Sequence, residues 1–151
     1  MPDQTLPQRH GDLRVQRVIT LFETLVPADL PGLRDVYAAN ARFKDPFNEV
    51  QGLPEIARVF GHMFKALDAP RFTILSAVAQ GDNVFLTWDF DFSTRGRGAT
   101  AMRIHGASHL RFDAAGQVAL HRDYWDAAEE LYEKLPVLGA LMRWLKRRAA
   151  G

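Results

Sequence analysis

Apolar positions in the first part of the chain recur at helical spacing. Val15, Val18, Phe22 and Leu25 share one face, which predicts an amphipathic helix over 12–26. Pro27 ends it, and Asp29 is placed to cap a second short helix with Pro31 in its first turn. That helix is expected to turn Leu33, Val36 and Tyr37 inward. Ala41 to Asp45 reads as a short extended segment, ended by Pro46. The loop PFNEVQG leads to a third helix over 53–67, with Ile56, Val59, Phe60, Met63 and Leu67 on its apolar face. The period then falls to two, and four strands are predicted, at 71–80, 84–94, 100–113 and 117–126. Short turns join them, so they form an antiparallel meander. A last helical stretch covers 127–148, with a break at Pro136. Helices followed by a meander give an α+β layout, with the helices on one face of a sheet.

The alternation within the strands separates two faces. Val84, Leu86, Trp88, Phe90 and Phe92 share one side of their strand; Phe85, Thr87, Asp89 and Asp91 share the other. In the next strand Met102, Ile104, Gly106, Ser108, Leu110 and Phe112 fall on the side expected to meet the helices. Gly106 and Ser108 are small for such a face, and they are expected to leave room for a cavity opposite large aromatics. The last strand holds the densest chemistry. His121, Asp123 and Trp125 lie on one face; Arg122, Tyr124 and Asp126 lie on the other. A three-residue hairpin loop would set His121 opposite His109, on the polar face. A four-residue loop, Asp113 to Gly116, would set His121 opposite Ser108 and Asp123 opposite Gly106, facing inward. Periodicity alone leaves both registers open.

Composition narrows the function classes. The 151 residues carry a formal charge of +1, so no global field recruits nucleic acid. Arg95-Gly96-Arg97-Gly98 therefore reads as a hairpin tip, not an RNA-binding segment. There is no Cys, which excludes disulfides, thiol nucleophiles and thiolate zinc sites. No His and carboxylate spacing matches a metal motif. His105 and His109 would stand ~13 Å apart along a strand, and His62 falls on the polar side of its helix. No metal site and no cofactor are expected. The opening residues are polar, and no apolar run approaches the ~20 residues of a membrane span. A cytoplasmic location is the expectation.

Two groups of residues carry a family likeness. Tyr37-Ala-Ala-Asn-Ala-Arg-Phe-Lys-Asp45-Pro-Phe, followed by Gly52-Leu-Pro-Glu-Ile56, resembles the opening of ketosteroid isomerases and SnoaL-like polyketide cyclases. Leu110-Arg-Phe-Asp113-Ala-Ala-Gly116 and His121-Arg-Asp-Tyr-Trp-Asp126 resemble the closing hairpin of SnoaL-like proteins and limonene epoxide hydrolases. The likeness spans about residues 13 to 135 and rests on the order and spacing of these motifs. It implies the nuclear transport factor 2-like fold, a cone in which a curved antiparallel sheet wraps N-terminal helices around a central pocket. It also implies a homodimer through the sheet's outer face, and it favours the inward-facing hairpin register. The chain then divides into a flexible arm at 1–11, a cone domain at 12–135 and a basic amphipathic helix at 136–151.

The resemblance transfers only in part. Asp45 falls where the steroid isomerases hold their catalytic base. The tyrosine those enzymes place in the first helix maps near Leu21 or Phe22, and their second oxyanion donor maps to Ser108. Asp123 matches a catalytic Asp of the epoxide hydrolases, whose water-positioning Tyr and Asn map to Phe43 and Asp45. Their Arg–Asp pair is replaced by Trp88-Asp89-Phe90-Asp91.

Two readings follow. One is a cofactor-independent isomerase, cyclase or hydrolase acting on an apolar or polycyclic metabolite. Asp45, Asp123 and His121 would be catalytic, and Phe43, Phe60, Met63, Trp88, Phe90, Ser108 and Trp125 would bind substrate. The other is a ligand-binding or dimeric scaffold module without chemistry. Asp45 also has a structural reading as an Asx-turn before Pro46. In the C-terminal stretch, Leu131, Leu135, Leu138, Met142 and Leu145 form an apolar stripe, and Arg143, Lys146, Arg147 and Arg148 crowd its end beside Trp144. It would pack on the cone or a dimer mate, or make weak contact with an anionic membrane surface.

Overall fold

The computed structural model describes residues 10–131 and 136–150. Of the expected features, residues 1–9 of the arm at 1–11 and Leu135 lie outside the described residues, as do the side chains of Leu138 and Met142.

Helix α1, Leu13–Thr24, starts at Asp12, whose carboxylate accepts the Arg14 backbone N–H at 2.9 Å. It buries Val15, Val18, Ile19 and Phe22. The stripe therefore runs as the spacing predicts, and the helix stops two residues early because Val26 precedes Pro27 and sits in extended backbone. The second helix is a 3-10 helix, Pro27–Asp35, and Asp29 accepts the Val26 N–H at 3.1 Å.

Strand β1, Tyr37–Lys44, begins four residues earlier than expected. Tyr37 is thus a strand residue and not part of the preceding helix. β2, Glu49–Gln51, pairs antiparallel with β1 inside the segment read as a loop. Three residues are too few to show a period. Helix α2, Leu53–Ala66, buries Ile56 and Phe60. It passes directly into β3, Leu67–Gln80, which starts four residues early. Ala69, at φ 48°, and Pro70 interrupt the pairing there, and the interruption is tolerated because β3 is an edge strand.

β4, Asn83–Thr94, β5, Ala101–Phe112, and β6, Val118–Tyr124, complete a six-stranded, curved, unclosed sheet of order β2-β1-β6-β5-β4-β3. All pairings are antiparallel except β1 with β6, which is parallel. The predicted inner face of β4 is buried throughout, from Val84 to Phe92. The core lies between this face and α1, α2 and the 3-10 helix.

The chain ends in α3, Ala127–Glu130, capped by Asp126, and α4, Pro136–Ala149. Along α4, Leu141, Trp144 and Leu145 are exposed, and Lys146 approaches Glu129 of α3 at 3.8 Å. Among the described residues no helix is long and apolar enough to cross a membrane.

Arg14 ties α1 to the sheet. Its guanidinium bonds Asp12 at 2.9 Å and Asp82, in the β3–β4 turn, at 2.8 Å, and it lies 4.7 Å over the Phe112 ring. The Arg14 side-chain bond holds Asp12 well below its ordinary value of 3.8, at about 2. A lowered folded-state value means that this contribution to stability is complete above about pH 4 and is lost as pH falls toward 2. Asn caps as well as Asp but carries no charge. Asp12→Asn is therefore expected to melt below wild type at pH 6, and thermal denaturation should show the gap closing between about pH 4 and pH 2.

Candidate functional site

The β5–β6 hairpin sets the site. Asp113 Oδ1 accepts the N–H groups of Ala115 and Gln117, and Gly116 takes φ 78° to close the turn. Phe112 pairs with Val118 and Arg111 with Leu120, so Ala119 is an extra residue on β6. Val118 and His121 are three positions apart, yet both are buried. A regular strand would turn them to opposite faces; the bulge brings both inward. The inward face expected for His121, Asp123 and Trp125 is therefore observed, but the pairs differ from both hairpin alternatives. His121 stands opposite Leu110, and Asp123 opposite Ser108.

A chain of side-chain hydrogen bonds runs across this inner face. The Tyr37 hydroxyl meets His121 Nδ1 at 2.6 Å, and His121 Nε2 meets Asp123 Oδ1 at 2.6 Å. Ser108 donates to the same Oδ1 at 2.5 Å, and the Trp88 indole N–H donates to Ser108 Oγ at 2.8 Å. The proton positions follow from the partners. An ionised carboxylate only accepts, so Nε2 carries a hydrogen. The buried phenol has Nδ1 as its one hydrogen-bond partner among the described residues, so its proton points there and Nδ1 is bare. His121 then donates through Nε2 to Asp123 and accepts through Nδ1 from Tyr37. Burial, and secondarily the charge of Asp123, push Tyr37 well above its ordinary value, which keeps it a phenol and a donor. The rings of Phe22 and Phe43 close edge-on over the imidazole, 5.4 and 4.8 Å away.

Beside this chain lies a cavity of about 350 Å³. Phe43, Phe60, Met63, Trp88, Phe90, Trp125, Asp45 and Asp123 all line it, as expected. Phe72, Phe92 and Ile104 extend the apolar wall, and Phe47 stands against Trp125 with ring centroids 5.5 Å apart. Two expected site residues do not reach the cavity. Ser108 and His121 stand behind Asp123, almost fully buried. The Ser108 hydroxyl is donated to Asp123 and is not available to a ligand. Asp45 lies at the edge of the cavity, where its carboxylate accepts the Phe47 and Asn48 backbone N–H groups at 2.7 and 2.6 Å and the Asn48 side chain at 3.1 Å. That is the Asx-turn geometry.

Gly106 does not leave an open space. It lies opposite Trp88, and a Cβ built there would fall 2.5 Å from the indole. The glycine admits the ring that anchors Ser108, and the cavity lies beyond the ring. Asp89 and Asp91 face outward, with Arg103 at 3.7 and 2.7 Å and His105 at 3.0 Å from Asp89. Sequence reasoning missed Tyr37 and several lining residues, among them Phe47, Phe72, Phe92 and Ile104. Tyr37 heads the Tyr37–Phe47 motif, but that residue reads as the end of a helix.

The fold is thus a curved, helix-backed sheet with a buried His–Asp pair beside an apolar cavity. The chain belongs to the SnoaL-like domain family, whose model matches residues 18–121. Solved structures agree on the fold. One similar structure is a hypothetical protein with a ketosteroid isomerase-like fold from Catenulispora acidiphila, in complex with trimethylamine (TM-score 0.68, 18% identity, 81% of this chain and 92% of that chain). A second is a SnoaL-like polyketide cyclase from Jannaschia (TM-score 0.67, 16% identity, 77% and 87%). A third is an epoxide hydrolase of the limonene epoxide hydrolase type from Mycobacterium tuberculosis (TM-score 0.62, 15% identity, 78% and 83%). No curated protein matches the sequence.

Two substitutions test the geometry. Tyr37→Phe leaves Nδ1 buried without a donor and is expected to cost about 1–3 kcal/mol in urea unfolding. Gly106→Ala must displace the Trp88 ring, at a cost of about 1–3 kcal/mol, with a shift in tryptophan emission.

Proposed function

We propose that the protein binds a small, largely apolar metabolite in the cone and that Asp123 acts on it as a general base without a cofactor. One observation carries this reading. Asp123 has one carboxylate oxygen held by two donors, His121 and Ser108, while Oδ2 has no partner among the described residues and the side chain lines the cavity. Fixing one oxygen orients the other. The apolar wall would seat a substrate's hydrocarbon against that oxygen.

The chemistry within reach is removal of a proton from a carbon beside a carbonyl, or from a water that opens an epoxide. Asp123 then returns the proton to the product. His121 is a positioning residue, because it touches Asp123 and not the cavity. Asp45 contributes as the carboxylate that shapes the cavity's edge.

A second reading, a ligand carrier or dimeric scaffold without turnover, is favoured by the donors around the cavity. The Trp88 N–H is engaged by Ser108 and the Asn48 amide by Asp45, so neither is available to receive a developing oxyanion.

A panel of polycyclic ketones and apolar epoxides separates the two. On a compound that turns over, Asp123→Asn is expected to lose about 10²–10⁴-fold in kcat while retaining affinity. Equal turnover by the variant would sink the base assignment. Ligand binding by wild type and variant alike, without turnover of any compound, would establish the carrier.

A further inference from the structure

The cavity wall is rich in aromatic rings, and two carboxylates stand among them. Trp88, Phe90, Phe72, Phe43 and Trp125 line it, with Phe72 and Phe90 stacked at 4.3 Å. Two carboxylates, Asp45 and Asp123, line it as well. No Lys or Arg does so among the described residues. Lys44 and Arg122 share an adjoining outer pocket with the two carboxylates, and neither lines this cavity. Lys44 pairs with Glu49 at 3.3 Å, and the Arg122 guanidinium lies 4.7 Å over the Tyr124 ring on the opposite face of β6. His121 stands behind Asp123 and outside the cavity lining, and His62 stands exposed at the rim.

Asp45 receives backbone and amide N–H groups; Asp123 receives a hydroxyl and the His121 imidazole, so no Lys or Arg is held against either carboxylate. Hydrogen bonds of this kind spread a negative charge but do not cancel it. An aromatic enclosure attracts cations through the negative faces of its rings, and a carboxylate reinforces that attraction. The same wall repels an anionic ligand and leaves a neutral one without an electrostatic partner.

We infer that the ligand of this cavity carries a positive charge, as a protonated tertiary amine or a quaternary ammonium, with its cationic centre facing Asp123 and its apolar body on the aromatic wall. The inference rests on the reading of the cavity as a ligand site and adds the chemical class of what enters it.

Phenyltrimethylammonium and its neutral isostere, tert-butylbenzene, have the same shape and differ in charge. Their affinities at pH 7, read from tryptophan fluorescence, test the inference directly. The cation is expected to bind at least tenfold more tightly, and the margin should fall below threefold in Asp123→Asn. Equal affinity for the two compounds overturns the inference and leaves the cavity standing as an apolar site. A margin unchanged in a folded Asp123→Asn overturns the assignment to Asp123. Failure of both compounds to bind overturns the ligand-site reading, and this inference with it. Should the variant not fold, as judged by circular dichroism, the wild-type ratio alone decides.

Discussion

The hydrogen bond from Tyr37 to His121 holds the rest of the site in place. A buried imidazole has two tautomers, and only one can donate to Asp123. The phenol selects that one by presenting a proton to Nδ1. His121 then gives its other N–H to Oδ1, Ser108 adds a second donor, and the Trp88 indole fixes the serine. Each link has its partner, and among the described residues no buried side-chain N or O atom is left unpaired. Removing any link would leave a buried group without a partner. The packing around the chain follows the same demand. Gly106 has no side chain because the indole occupies the place where one would be.

Much of this was legible in the sequence, and the limits have physical causes. Alternation in β4 and β5 identified the buried face residue by residue, because that face meets helices and the other meets solvent. The bulge at Ala119 was not legible, since an extra residue leaves no mark on composition or period. The inward face of Asp123 was nonetheless reached, through the family likeness, while its partners were misjudged by two positions. Tyr37 follows directly on the end of a helical segment, and its single large side chain fits either period. Small residues at 106 and 108 pointed to the right place in the sheet for the wrong reason: one makes way for a ring, and the other is a link in a polar chain. Asp45 was recognised as a site position and as a turn former, and the structure shows how its carboxylate serves the turn.

The relation to the family lies in architecture more than in any one constellation. Asp123 is held by His121, which is backed in turn by the Tyr37 phenol. The outward Asp89 and Asp91 make their own pairs with Arg103 and His105.

The parallel pairing of β1 with β6 has a consequence for how the molecule is made. Tyr37 and His121 are 84 residues apart, whereas β3, β4 and β5 pair with near neighbours through short turns. On the ribosome those hairpins can close while the chain is still emerging, but β1 must wait for β6. Until then it presents an open edge that pairs only with three-residue β2. The hydrogen-bonded chain is thus completed last, and a molecule truncated before Val118 would hold a formed meander, an unpaired β1 edge and no site.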